Sequence, residues 1–188
     1  MRWRDFRGSH RGTNPFEQEA SMPKGPAARI MDPVLHPLPG MLQPGPGSAN
    51  VVIGGMLAWR GVPAAAAAAI QSAKAAADAT VQAAEAATLA AAGTPGAPAA
   101  LAAEIATKNA VSASMGSMIT GASGGADIHN CLTPVPPPVP HGLGVVIDGS
   151  QTVLINNLPA CRLGDTILEA LGPPNKIIMG LPTVIIGG

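Results

Sequence analysis

Gly149-Ser150-Gln151-Thr152-Val153-Leu154-Ile155, followed by Asn156-Asn157, Leu158 and Pro159-Ala160-Cys161-Arg162, is the stretch that decides how this chain folds. A β-branched run, a two-residue turn signal and a second short run read as a strand–turn–strand hairpin. The unit recurs as Gly47-Ser48-Ala49-Asn50-Val51-Val52-Ile53, the turn Gly54-Gly55, and Leu57-Ala58-Trp59-Arg60. A third first half, Gly180-Leu181-Pro182-Thr183-Val184-Ile185-Ile186, runs into Gly187-Gly188 without a second half after it. Its partner stands at the other end, Pro26-Ala27-Ala28-Arg29, and Arg29 precedes Asp32 by the same interval as Arg162 precedes Asp165. Three repeats are therefore expected, one of them divided between the two ends of the chain. If that unit closes in space, the body is a closed, pseudo-threefold β structure without a free edge.

Outward from the repeats the composition changes. Residues 1–21 are polar and hold Arg2, Arg4, Arg7 and Arg11, and Met22-Pro23 offers a second start, so this stretch reads either as a flexible arm or as an over-long gene start. No apolar core of a signal peptide is seen in it. Residues 22–63 and 126–188 are rich in Gly, Pro and β-branched residues and form the two parts of the β body. Residues 64–125 are an Ala-rich insertion with a Gly/Ser tail. Pro63 suits a first helical turn, a helical run reaches residue 92, Gly93-Thr94-Pro95-Gly96 breaks it, and Pro98 opens a second run to about residue 119. In the second run Leu101, Ile105, Val111, Met115, Met118 and Ile119 share one face, with Glu104 and Lys108 interrupting it. The fold class expected is mainly β, short hairpin repeats interrupted by an α-helical hairpin. Lys74, Asp78 and Glu85 argue against reading the first helix as a membrane span.

Charge and composition exclude one partner class. The 188 residues carry 11 Lys+Arg against 11 Asp+Glu, and of four aromatic residues Trp3, Phe6 and Phe16 lie in the arm, leaving Trp59. Nucleic-acid binding wants a basic groove with stacking rings, and neither is present.

Three histidines and a cysteine suggest a metal. His36 follows Asp32-Pro33-Val34-Leu35, His129 and Cys131 follow the insertion, and His141 comes ten residues after Cys131, whereas His10 lies in the arm and reads as solvated. Three imidazoles and one thiolate fill a tetrahedral zinc shell of the closed, structural kind. A small body poor in aromatic residues gains most from such a cross-link. The spacing also fits unrelated surface histidines with a buried Cys131. Cys161 stands where the other repeats hold Ala28 and Trp59 and reads as a packed core thiol; a Cys131–Cys161 disulfide is the competing use of the pair.

These residues together resemble a PAAR-repeat protein. The Pro26-Ala27-Ala28-Arg29 and Pro159-Ala160-Cys161-Arg162 elements and the Gly-Ser-x-Thr-Val-x-Ile-Asn strand carry the likeness. So does the run from Ala27 to His36, which fits the prePAAR pattern AARxxDxxxH. The resemblance covers 22–63 and 126–188. It implies a cone-shaped β domain whose blunt face caps the trimeric VgrG-type or gpV-like spike of a contractile injection machine, such as a type VI secretion system. One copy would cap one trimer, sharpening it for passage through a target membrane. It further implies one structural Zn2+ held by His36, His129, Cys131 and His141. Such a tip is assembled in the bacterial cytoplasm and leaves the cell with the spike. Two departures stand out: the segment 164–170 lacks the cysteine that some members carry there, and the helical insertion is no part of the minimal domain.

The expected role is non-enzymatic. A catalytic zinc keeps a position for water beside a carboxylate base, and the four ligands above close the shell. Gly121-Ala122-Ser123-Gly124-Gly125 matches GxSxG, but it follows a helix instead of linking a strand to a helix. The competing role is that of an effector or effector carrier, in which the helical insertion or the arm handles cargo or a chaperone. The chain runs no further than Gly188, so no fused toxin domain is expected.

Overall fold

The computed structural model describes residues 23–36, 40–42 and 47–188; the expectations for His10 and for the arm lie outside them. Twelve short strands and two long helices alternate along this part of the chain. They are β1 (Gly25–Ala27), β2 (Pro33–Val34), β3 (Gly40–Met41), β4 (Val52–Ile53), β5 (Met56–Leu57), α1 (Ala64–Ala91), α2 (Ala97–Ala122), β6 (Ile128–Val135), β7 (Val139–Val146), β8 (Leu154–Ile155), β9 (Leu158–Pro159), β10 (Thr166–Glu169), β11 (Asn175–Lys176) and β12 (Leu181–Ile186). All strand pairings are antiparallel, so the architecture mixes a helical hairpin with many short antiparallel strands.

The repeats form as hairpins. β4 pairs with β5 and β8 with β9. Both residues of each connecting turn have positive φ, Gly54 at 56° and Gly55 at 85°, Asn156 at 53° and Asn157 at 63°. Glycine and asparagine are the residues that tolerate this geometry, which matches the twist of the paired strands. The divided unit also closes: β1 pairs with β12, Gly25 opposite Ile186 and Pro26 opposite Ile185. Here the two paired strands are far apart in sequence and no turn joins them.

The arginine-bearing second halves then join in a ring. Ala28 N donates to Cys161 O (2.9 Å), Trp59 N to Ala28 O (3.0 Å) and Cys161 N to Trp59 O (3.0 Å). A second set runs the circuit in the opposite sense, with Ile30 N to Leu57 O, Gly61 N to Pro159 O and Leu163 N to Pro26 O. Each segment therefore both donates to and accepts from each of its two neighbours, leaving no edge at the ring.

The interior is layered by repeat position. One apolar cluster holds Ala27, Ala58 and Ala160 with Ile53, Ile155 and Ile186, the same two positions taken from each unit. The next position inward along the segments supplies Ala28, Trp59 and Cys161, which pack with Val34, Leu42, Val146, Ile167 and Ile177. A full indole fits there because its two counterparts are small, as close packing requires. Cys161 is a fully buried free thiol, as expected of a core residue, and Cys131 is also free, so the disulfide alternative is not realised.

The helical insertion enters the second repeat. In the first and third units the arginine is clasped by an aspartate three residues later: Arg29 N and Nε donate to Asp32, and Arg162 N and Nε to Asp165. Arg60 makes the same bonds to Asp127, N to Oδ2 at 2.7 Å and Nε to Oδ2 at 3.0 Å. The hairpin α1–α2 has thus been spliced into an Arg-x-x-Asp loop whose ends the ion pair still holds together. Asp127 is thus the aspartate of the second repeat.

Alanine lets α1 and α2 lie close, and the pair packs on the sheet through Val62, Ala67, Ile70, Met115 and Ile119 against Val145, Leu158 and Leu168. Glu104 and Lys108, which interrupt the apolar face of α2, are buried in it. The Lys108 ammonium donates to Glu104 at 2.7 Å and to Pro136 O, and lies 2.7 Å from Glu85 of α1. Lys74 of α1 similarly reaches Asp78 and, at 2.9 Å, Gly172 O. The two lysines thereby tie the helices to the loops beyond β6 and β10. Ser123 donates to Thr120 O at 2.9 Å and closes α2, a local turn role for the GxSxG match. Among the described residues no helix is long and apolar enough to cross a membrane.

Candidate metal centre

The four-stranded sheet, in the order β11-β10-β7-β6, carries most of the site. Alternation on β6 turns His129, Cys131 and Thr133 inward and leaves Asn130, Leu132 and Pro134 outside. His141 is buried on β7 and Glu169 on β10. His36 arrives from the far end of the sequence: Val34 bridges to Ile177, and Leu35 N donates to Lys176 O at 2.8 Å, which sets the strand alongside β11. All four expected ligands, His36, His129, Cys131 and His141, therefore converge although the helical insertion separates the first from the others.

A fifth group stands among them. Glu169 is fully buried; its Oε1 lies 2.9 Å from His36 Nε2 and 3.4 Å from His129 Nε2, and its Oε2 lies 2.7 Å from His141 Nδ1. The Cys131 sulfur is 3.0 Å from His36 Nε2. One donor atom each from His36, His129, Cys131 and Glu169 lies within 4.8 Å of every other, a cluster that could hold a metal ion. His141 reaches this set through the outer carboxylate oxygen. Glu169 is a donor that the sequence expectation does not include. Its sequence signal is its place four residues after Asp165, as His36 stands four after Asp32.

Backbone without side chains makes room for the cluster. Gly144 lies opposite both His129 and Glu169 across the sheet. A Cβ there would stand 2.8 Å from Glu169 Cγ. Gly172, at φ 77°, faces the His141 ring, where a Cβ would stand 2.8 Å from Cε1.

The electrostatics are those of strongly coupled donors. Burial draws the His129 ring toward neutrality, but Cys131 and Glu169 outweigh it and raise its pKa to about 9. His141 is raised to about 9 by Cys131 and Glu169 against its burial. Burial opposes the Cys131 thiolate, yet His129, His141 and Thr133 bring it down to about 6. Glu169 is held well below the usual carboxylate range: burial works against its charge, and the three histidines overcome it.

The donor set fits a metal on a further count. Both ring nitrogens of His129 are buried without a hydrogen-bond partner, and the 3.4 Å approach to Glu169 lacks hydrogen-bond alignment. A buried imidazole ordinarily has such a partner, and a cation between His129 and the other donors would satisfy the nitrogen. No family model, curated protein or solved structure matches this chain.

Proposed function

We propose that this protein is the zinc-stabilised tip of a contractile injection apparatus, a cone-like, pseudo-threefold PAAR-type body that caps a trimeric VgrG- or gpV-like spike. The observation that carries this reading is one repeat position seen three times. Val52, Leu154 and Ile185 precede the buried Ile53, Ile155 and Ile186, and they are 59%, 56% and 57% exposed. Scattered single apolar residues need no explanation, but three at equivalent places in a ring form a patterned face. A monomer with such a face meets a threefold partner with one contact per subunit, so one copy suits one trimer.

Zinc suits the donors, since imidazole, thiolate and carboxylate are its usual ligands. Five candidate donors for four tetrahedral positions leave none for water. The ion is therefore structural and the role non-enzymatic. Closed hairpins cross-linked by a metal resist unfolding without a large core, as a tip driven through a target membrane must. The ties of Lys74 and Lys108 to the loops near the metal centre favour a bracing role for the helical hairpin. Its distal end, where Leu89 is exposed, is the part left to an effector or chaperone. Assembly in the bacterial cytoplasm and export with the spike follow from this role.

The test is the native mass and zinc content of the protein mixed with its cognate trimeric spike. One copy and one zinc per trimer is the expected result. Absence of a complex overturns the tip assignment and returns the effector-carrier reading.

A further inference from the structure

The first, second and third repeats place their metal-site residues by one rule. From the aspartate that clasps each repeat's arginine, four residues onward stands His36 after Asp32, Cys131 after Asp127 and Glu169 after Asp165. The clasps are alike, with Arg29, Arg60 and Arg162 backbone N–H groups donating to their aspartates at 2.7, 2.7 and 2.9 Å. Equal clasps followed by equal intervals deliver three side chains to one site, and these are three of the four whose donor atoms cluster. From this we infer that Glu169 is a direct metal ligand, the third repeat's counterpart of His36 and Cys131. The fourth ligand is His129, and His141 is a positioning residue that acts through the carboxylate.

The two oxygens of Glu169 divide the work. Oε1 faces His36 Nε2 and His129 Nε2, where the cluster of donors closes. Oε2 is turned away onto His141 Nδ1 at 2.7 Å. A carboxylate held by one oxygen presents the other to a metal in a fixed direction, which is how outer partners of a metal site orient its ligands. Charge points the same way. A thiolate and a carboxylate neutralise a divalent cation, so the buried centre carries no net charge, and burial of an uncompensated charge is avoided. His129 is singled out as the fourth ligand because its donor atom lies within the cluster and its nitrogens are buried without a hydrogen-bond partner, whereas His141 lies outside that set and bonds the outer carboxylate oxygen. The assignment rests on a metal being bound, though not on the spike partner.

The purified full-length protein, stripped by chelator and titrated with Co2+ and then with Zn2+, separates the roles. Co2+ reports its ligands through its visible bands and the thiolate charge-transfer band, and displacement by Zn2+ gives affinity. Glu169→Gln is expected to lower affinity for both ions by ~100-fold or more and to shift the visible bands. His141→Gln is expected to keep one ion per chain and an unshifted thiolate band, with affinity lower by about 10- to 100-fold, the usual loss for an outer partner. Glu169→His keeps a donor at the repeat position, as His36 does in the first repeat. It is expected to bind one ion even if Glu169→Gln does not fold. Loss of the ion in His141→Gln with wild-type binding in Glu169→Gln would overturn the assignment and make His141 the ligand. A wild-type protein that binds neither ion would overturn the centre itself. Both results are independent of whether the spike is capped.

Discussion

Cys131 shows how far a single residue's chemistry depends on its neighbours. On the sequence it is one thiol with two competing uses; in the fold it lies 3.0 Å from His36 and beside two further imidazoles and a carboxylate. With metal chelated, these groups should set a pH window for stability. His129 and His141, raised from 6.5 to about 9, contribute fully below 6.5 and lose that contribution as pH rises through about 9. Cys131, lowered from 9.0 to about 6, contributes above 9.0 and loses that as pH falls through about 6. Glu169, lowered from 4.5, contributes above that value and loses it only at strongly acid pH. Between pH 6.5 and about 9 two histidines lose more than one cysteine gains, so the melting temperature of the metal-free protein is expected to be highest near pH 6.5, to fall from there toward pH 9, and to fall again at strongly acid pH. A melting temperature that does not fall between pH 6.5 and 9 would show that the buried charges do not pair this way.

Among the elements, α2 carries the clearest cost of the insertion. A lysine in an apolar face is expensive to bury unless paired, and Lys108 is 1% exposed with Glu104, Glu85 and Pro136 O around it. Burial pulls its pKa down, but Glu104 and Glu85 more than compensate and leave it raised, which keeps the ammonium charged. Lys108→Met strands the buried Glu104 carboxylate and is expected to destabilise by about 3–5 kcal/mol in urea unfolding. Adding Glu104→Leu should recover most of that loss, since apolar replacement of both partners is often near neutral. Failure of the double variant to recover would mean that the tie to Pro136 O, and not the ion pair, holds the hairpin to the sheet. The apolar face of α2 was legible because its period is local. That Glu104 and Lys108 would be buried in it was not, because their partners lie on α1 and in the loop after β6.

At the scale of the molecule, the ring gives each repeat one exposed apolar position. Val52→Asp, Leu154→Asp and Ile185→Asp should each leave stability within about 0.5 kcal/mol of wild type, as exposed substitutions away from caps and cores do. In the proposed complex each should weaken spike capture and the triple variant should abolish it, read by co-elution with the trimer. Capture unchanged in the triple variant would place the contact elsewhere on the protein.

The sequence by itself determined the repeats, their turns, the helical hairpin and four of the residues at the metal centre. Each of these rests on local chemistry: asparagine and glycine at positive φ, β-branched alternation, alanine and proline around helices, and the histidines and cysteine as a metal-ligand set. Tertiary structure decided the rest. Only closure of the ring joins β1 to β12, restores Asp127 to Arg60 across the inserted helices and brings Glu169 among the histidines. The interval that matches Glu169 after Asp165 to His36 after Asp32 is legible in the sequence, but an interval gives a glutamate no partner. A glutamate reads as solvated until three histidines distant in sequence are brought within reach of its carboxylate.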